Sequence, residues 1–328
     1  MDANKDASIG GYFELELQPG RSFHQEAIAL NSGRNALKHI LQEHSPRQLV
    51  LPKYLCAAVM QPILELKIPY AFYAINEQLE PVGLDEFDAD ITVLYINYFG
   101  LKDSVVQALA NNTKNVIIDN TQAFFSSAIS NVPTFYSARK FFGVPDGAYV
   151  SGCSSPTEDM EIDQSYERCT HLLKRIDLGA EDGFSDYQLN EAVIASLPLR
   201  RMSHVTSNIL SSIDYSLVSE IRRRNYGALH ARLGPYNRAT FADMDEECVP
   251  MAYPFLCNSF SQVREALLRN KVYCPQLWPS VLEELSDQPS SIEYQMAANI
   301  IPLPMDQRYE EQQMHDVASI ILGVLSHG

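Results

Sequence analysis

Between residues 49 and 151, short apolar runs alternate with stretches of helical periodicity. Leu49-Val50-Leu51 stops at Pro52; Ala57, Ala58, Met60, Ile63 and Leu64 share one helical face; residues 70–75 read as a strand. Residues 91–98 are again strand-like, 105–110 helical, 116–118 a β-branched run, and 148–150 a strand behind a glycine. Strands separated by helices need crossover connections, so the pattern predicts an α/β unit with a largely parallel sheet. In open sheets of that kind ligands bind beyond the carboxyl ends of the strands, which directs attention to the residues just after each apolar run.

The character changes after residue 151. Residues 154–159 are loop-like, while 187–197 and 209–233 are helical in pattern, the second reading as one long connecting helix. Past Gly234-Pro235 come a strand-like 249–256 with proline inside it, a helix at 261–268, a short run at 272–274 and a last helix at 310–325. The expected organisation is a large unit over residues 1–233 and a small α+β unit over 234–328.

Composition narrows the function classes. The 328 residues carry 25 Lys+Arg against 41 Asp+Glu, a formal net charge of −16. Such a chain lacks the basic surface of a nucleic-acid groove. With 46% hydrophobic and 20% charged residues, it has the make-up of a globular chain. The longest apolar runs, at 91–101 and 317–325, are interrupted well short of a membrane span. The polar start Met1-Asp2-Ala3-Asn4-Lys5-Asp6 has no apolar segment behind it, and a cytoplasmic protein is expected. The six cysteines never approach a C-x-x-C spacing, so they read as reduced, mostly buried thiols and not as a disulfide framework or metal site.

Four segments could carry chemistry. In Asn31-Ser32-Gly33-Arg34-Asn35-Ala36-Leu37 a turn opens a helix, whose free N–H groups suit an anion. Arg34 in the first turn opposes the helix dipole unless an anion sits there; the plainer alternative is a capped turn with a solvated arginine. In Val116-Ile117-Ile118-Asp119-Asn120-Thr121-Gln122 a strand ends in an acid. A carboxylate there can hold a cationic ring nitrogen, although strand-end aspartates also serve as metal ligands, sugar binders or helix caps. Thr134-Phe135-Tyr136-Ser137-Ala138-Arg139-Lys140 sets a lysine among aromatic and small residues. A nucleophilic lysine needs desolvation, a neighbouring cation or a standing imine, and a lysine without these is a surface residue. In Pro52-Lys53-Tyr54-Leu55-Cys56 a strand exit presents Tyr54, which could stack on a flat ligand or pack in the core.

In this order and at these separations the segments resemble the DegT/DnrJ family of sugar aminotransferases, over most of the chain. Gly10-Gly11-Tyr12-Phe13-Glu14-Leu15-Glu16 resembles that family's N-terminal segment, and residues 31–37 its phosphate loop, with Arg34 where threonine is usual. Asn97-Tyr98-Phe99-Gly100 resembles its H-x-x-G strand end, and Asp119 and Gln122 match D-x-x-Q. Lys140 stands at the Schiff-base position, with residues 144–150 resembling the strand behind it. Leu199-Arg200-Arg201-Met202-Ser203 resembles the N-Y-R-M-S loop that reaches a neighbouring subunit's site.

The resemblance implies an aspartate-aminotransferase type of fold that depends on pyridoxal 5′-phosphate. It implies a homodimer in which Lys140 and Asp119 are catalytic: the lysine carries the cofactor and moves protons, the aspartate keeps the pyridine nitrogen protonated. Ser32, Gly33, Arg34, Gln122, Ser137 and Arg139 would also touch the cofactor. Ser137 or Arg139 would replace the phosphate-binding serine that Phe135 displaces, and Tyr54 is the aromatic nearest the stacking position, which aligns with Cys56. The implied reaction moves an amino group from L-glutamate to a nucleotide-linked keto-sugar, in amino-sugar biosynthesis. Arg34, Arg139, Arg200 and Arg201 are the cations expected near the cofactor, and Arg222-Arg223-Arg224 reads as a solvated face. A protein that keeps the fold but binds the cofactor weakly, as a regulatory or scaffold partner, is the alternative. The sugar dehydratases of the family replace the lysine with histidine, which Lys140 argues against, and no G-x-G-x-x-G supports an oxidoreductase.

Overall fold

The computed structural model describes residues 9–88, 90–154, 160–242, 244–245 and 247–326. The polar start at 1–6, and residues 155–159 of the expected loop, lie outside them. The elements follow in chain order as β1 (Ile28–Leu30), α1 (Gly33–His44), β2 (Leu49–Pro52), α2 (Ala57–Glu65), β3 (Tyr70–Ile75), β4 (Pro81–Val82), β5 (Thr92–Ile96), α3 (Asp103–Asn112), β6 (Val116–Asn120), β7 (Thr134–Ser137) and β8 (Ala148–Ser151). Then come α4 (Thr170–Asp177), α5 (Phe184–Ser196), α6 (His204–Ser211), α7 (Tyr215–Leu233), β9 (Tyr253–Leu256), α8 (Phe260–Arg269), α9 (Pro279–Glu284), α10 (Ile292–Asn299), β10 (Ile300–Leu303) and α11 (Glu311–Leu325).

The first eight strands form one sheet in the order β1-β8-β7-β6-β5-β2-β3-β4. Its centre, β7 to β3, is parallel, and β1, β8 and β4 pair antiparallel at the flanks. The chain runs outward from β2 to β3 on one side and then returns to β5, β6 and β7 on the other. Strand order therefore reverses beside β2, where an open sheet leaves a crevice at its carboxyl edge. All five residues of β6 are buried, as expected of a β-branched strand covered on both faces.

Two expectations about the elements need correction. The periodicity of 209–233 hides a break: α6 ends at Ser211, and the Asp214 side chain accepts from the Leu217 N–H to start α7. Apolar residues continue through the break, so the cap alone marks it, as a short acceptor satisfies a helix-start N–H group. The strand-like 249–256 shrinks to β9, which pairs antiparallel with β10 so that Pro254 faces Pro302. A two-stranded ribbon tolerates prolines because both strands are edges.

Arg222 is the larger surprise. It is 1% exposed, against the solvated face expected of the arginine triplet. Its guanidinium donates to the carbonyls of Pro250, Met251 and Phe141 and to Gln307 Oε1, and lies 4.6 Å from the centre of the Phe141 ring. Burial lowers its pKa to about 10. Phe141 follows Lys140 directly, so α7 is tied to the turn that carries the lysine. Arg222→Met is expected to lose at least ~3 kcal/mol in urea denaturation, because each carbonyl left dry costs ~1–3 kcal/mol. A loss within experimental error would mean that water replaces these donors.

Candidate active site

Asp119 is the fourth residue of β6, in register with Ile96 of β5 and Phe135 of β7. It sits at the carboxyl edge of the sheet with its side chain buried, and its Oδ1 accepts from the Thr121 N–H at 2.8 Å. Burial pushes this carboxyl's pKa up; the charge of Lys140 and the Thr121 hydrogen bonds oppose the rise. Lys140 ends a short turn after β7, and its Nζ donates to Thr121 Oγ1 at 2.8 Å. The lysine is exposed in the single chain.

The turn is held from both sides. Ala138 N–H donates to the Gly147 carbonyl, and Phe141 and Phe142 N–H to that of Ala138. Gly147 has φ +117°, and a Cβ there would meet Thr206 Cγ2 at 2.9 Å. Beside it, the buried Asp146 carboxylate accepts from the Ser203 N–H, the Ser203 hydroxyl and the Thr206 hydroxyl, locking the start of α6 against the turn.

The start of α1 faces the same space. Ser32 caps it by accepting from the Asn35 N–H at 3.2 Å, and the first turn contains no acid. The preceding N–H groups have no acceptor inside the helix. Asn35 Nδ2 donates to the Leu197 and Pro198 carbonyls, which fixes this end against the segment after α5.

Together these elements enclose a cavity of about 230 Å³. Ser32, Gly33, Arg34, Asp119, Gln122, Ser137, Arg139 and Lys140 all line it, eight of the residues expected from sequence. Arg139 pairs with Glu191 of α5, while the buried Nε atoms of Arg34 and Arg139 find no hydrogen-bond partner among the described residues. Buried donors on two arginines, beside a helix start, call for an anion. Opposite charges are thus separated within one cavity, with Arg34 and Arg139 as cations and Asp119 as a buried acid. A flat cationic ring carrying a phosphate, such as pyridoxal phosphate, fits this donor set.

The structure places other candidates elsewhere. Tyr54 is fully buried behind the cavity wall, stacked on Tyr98 at 5.6 Å and edge-on to Trp278 at 4.5 Å. Cys56 lines the cavity where Tyr54 was expected to bring an aromatic ring. Arg200 pairs with Glu161 and Asp163, and Arg201 bridges β1 and Ile162, so neither lines this chain's cavity. Gln122 turns its Oε1 to the Phe99 N–H at 2.7 Å. That turn needs glycine next, since Gly100 has φ +73° and a Cβ would meet the Gln122 carbonyl oxygen at 2.9 Å.

Sequence reasoning missed Thr121, Tyr187, Glu191 and Trp278, all in the cavity wall. Thr121 lay inside the D-x-x-Q segment and could have been found there. Tyr187 and Glu191 are four apart on α5 and read as ordinary helix surface. Trp278 carries no motif.

No protein-family model matches the sequence, and no curated protein matches it. Solved structures do. A DegT/DnrJ/EryC1/StrS aminotransferase from Brucella abortus is 13% identical, with 90% of this chain and 85% of that one covered at a TM-score of 0.59. NtdA from Bacillus subtilis, with its cofactor PMP bound, is 14% identical, covering 92% and 73% at a TM-score of 0.61. A mutant of the GDP-4-keto-6-deoxymannose-3-dehydratase ColD, with GDP-perosamine bound, is 12% identical, covering 90% and 88% at 0.57. At these identities the likeness speaks for architecture, and the chain has the mixed α/β fold that these structures share.

Proposed function

We propose that this protein is a pyridoxal-phosphate-dependent aminotransferase of the DegT/DnrJ type. The observation that carries the reading is the convergence of Lys140, Asp119 and two arginines with unmatched buried donors on one cavity, at the carboxyl edge of a sheet of the matching fold. When bound, the cofactor supplies an electron sink that its pyridinium ring provides. Asp119 would hold a proton on the ring nitrogen, because a buried carboxylate is stabilised by a cation placed against it. The α1 start with Ser32, Gly33 and Arg34, together with Ser137 and Arg139, would bind the phosphate. Lys140 would hold the cofactor covalently and, once released, carry a proton between the amino donor's Cα and the cofactor carbon. Thr121 Oγ1 accepts from Lys140 Nζ and orients it for that transfer.

The amino donor is proposed to be L-glutamate and the acceptor a nucleotide-linked keto-sugar, which the family resemblance implies and the sugar aminotransferases among the similar structures support. The retained Lys140 separates the chain from dehydration chemistry. A homodimer is proposed as well, with Leu173, Ile176, Leu178, Phe184 and Leu189 of the α4–α5 region as exposed apolar side chains for a second subunit to cover. The free thiols suit the reducing cytoplasm. The protein mixed with pyridoxal phosphate should develop a near-visible absorption band, and borohydride should bleach it and fix the cofactor to the peptide containing Lys140, read by mass spectrometry. Protein that binds no cofactor, or is labelled only at other lysines, would refute the reading.

A further inference from the structure

We infer that Trp278 supplies the aromatic face of the cofactor cavity, in place of the residue before α2 where Cys56 stands. The inference rests on the proposed cofactor. Three observations carry it. Trp278 lines the cavity together with Cys56, and Tyr54, the aromatic nearest in sequence, is sealed behind it. The indole is 8% exposed and braced edge-on by Tyr54 at 4.5 Å and tilted on Tyr98 at 6.0 Å, so it is a fixed wall and not a loose surface ring. Its backbone has φ +64° and ψ +79°, in the left-handed region, and Pro279 follows it.

A bulky residue in that region is a genuine outlier, and the residue before proline is ordinarily extended. Such strain persists only where surrounding structure holds it, and it gathers at ligand clamps. Packing against Tyr54 explains what holds the ring; a flat partner on the cavity side explains why a strained tryptophan stands there. A pyridine ring gains from an offset or edge contact with an indole, whose faces are electron-rich, the more so when the pyridine is protonated. Trp278 therefore positions the ring against Asp119 and Lys140 and takes no proton itself.

The chain contains one tryptophan, so indole emission reports on this residue alone. Equilibrium dialysis with pyridoxal phosphate is run on wild type, W278F and W278L, with near-visible absorbance followed in parallel. W278F should bind within about threefold of wild type, and W278L about tenfold more weakly, the scale of an aromatic pair. Borohydride labelling of Lys140 should persist in both at saturating cofactor. In wild type, bound cofactor should shield the residual emission from acrylamide. W278L binding as tightly as wild type overturns the assignment while leaving the aminotransferase reading intact. Wild type that binds no cofactor overturns both. If W278L does not fold, the acrylamide measurement decides, and unchanged accessibility on binding overturns the assignment.

Discussion

Lys140→Ala should bind pyridoxal phosphate without holding it covalently and should transaminate at least ~10⁴-fold more slowly than wild type, the upper range for losing a positioned proton carrier. Among the described residues no other lysine lines the cavity, and the two arginines there cannot substitute, since a guanidinium does not give up its proton near neutral pH. Lys140→Arg separates charge from nucleophilicity. It keeps a cation near Asp119 and a donor for Thr121 Oγ1, yet offers no free amine, and it should be as slow as the alanine variant. Single-turnover consumption of L-glutamate, followed by the change in cofactor absorbance, measures both. A Lys140→Arg protein within tenfold of wild type would show that the residue acts through its charge and not as the carrier. Cofactor affinity should fall less than the rate in either variant, because the arginines and the α1 start remain.

How far the site was legible follows from where each residue sits on its element. Asp119 lies just past the apolar run of β6, so the rule that ligands sit at strand carboxyl ends pointed to it; β7 was not read as a strand, Lys140 stood out by its aromatic and small neighbours, and Gln122 and Ser137 entered through the family resemblance. Arg34 was legible for a different reason: a cation in the first turn of α1 opposes the dipole, and its buried, unpartnered Nε is the structural form of that conflict. Tertiary packing was not legible. Tyr54 follows a strand exit and qualified as a stacking ring, but the exit turns it inward beneath Trp278, a residue more than two hundred positions away on α9's cap. Arg222 is buried by three carbonyls from two separate segments, neither of which neighbours it in the chain. Periodicity reports which face of a helix is apolar; it does not report that a polar pocket has formed to receive an arginine.

Asp119→Asn tests the proposed role of charge with little change of shape. Burial raises the carboxyl's pKa in the folded chain, so without a cationic ring against it the ionised form weakens the fold as pH rises above the ordinary carboxylate range. Asparagine removes that cost and can still accept from the Thr121 N–H through its amide oxygen. The cofactor-free variant should therefore melt at the wild-type temperature or higher at neutral pH, and the wild type should gain on it as the medium is made acidic. With cofactor the sign reverses. An amide cannot hold a pyridinium proton by charge, so the ring loses electron-withdrawing power while the phosphate contacts persist, and the half-reaction with L-glutamate should fall roughly 10²–10⁴-fold. Calorimetry across pH and single-turnover kinetics separate the two effects. A variant that melts higher yet keeps a near-normal half-reaction would leave Asp119 as a buried structural acid and remove it from the chemistry. A variant that melts lower would mean that Lys140 and the Thr121 hydrogen bonds outweigh the desolvation of the carboxylate.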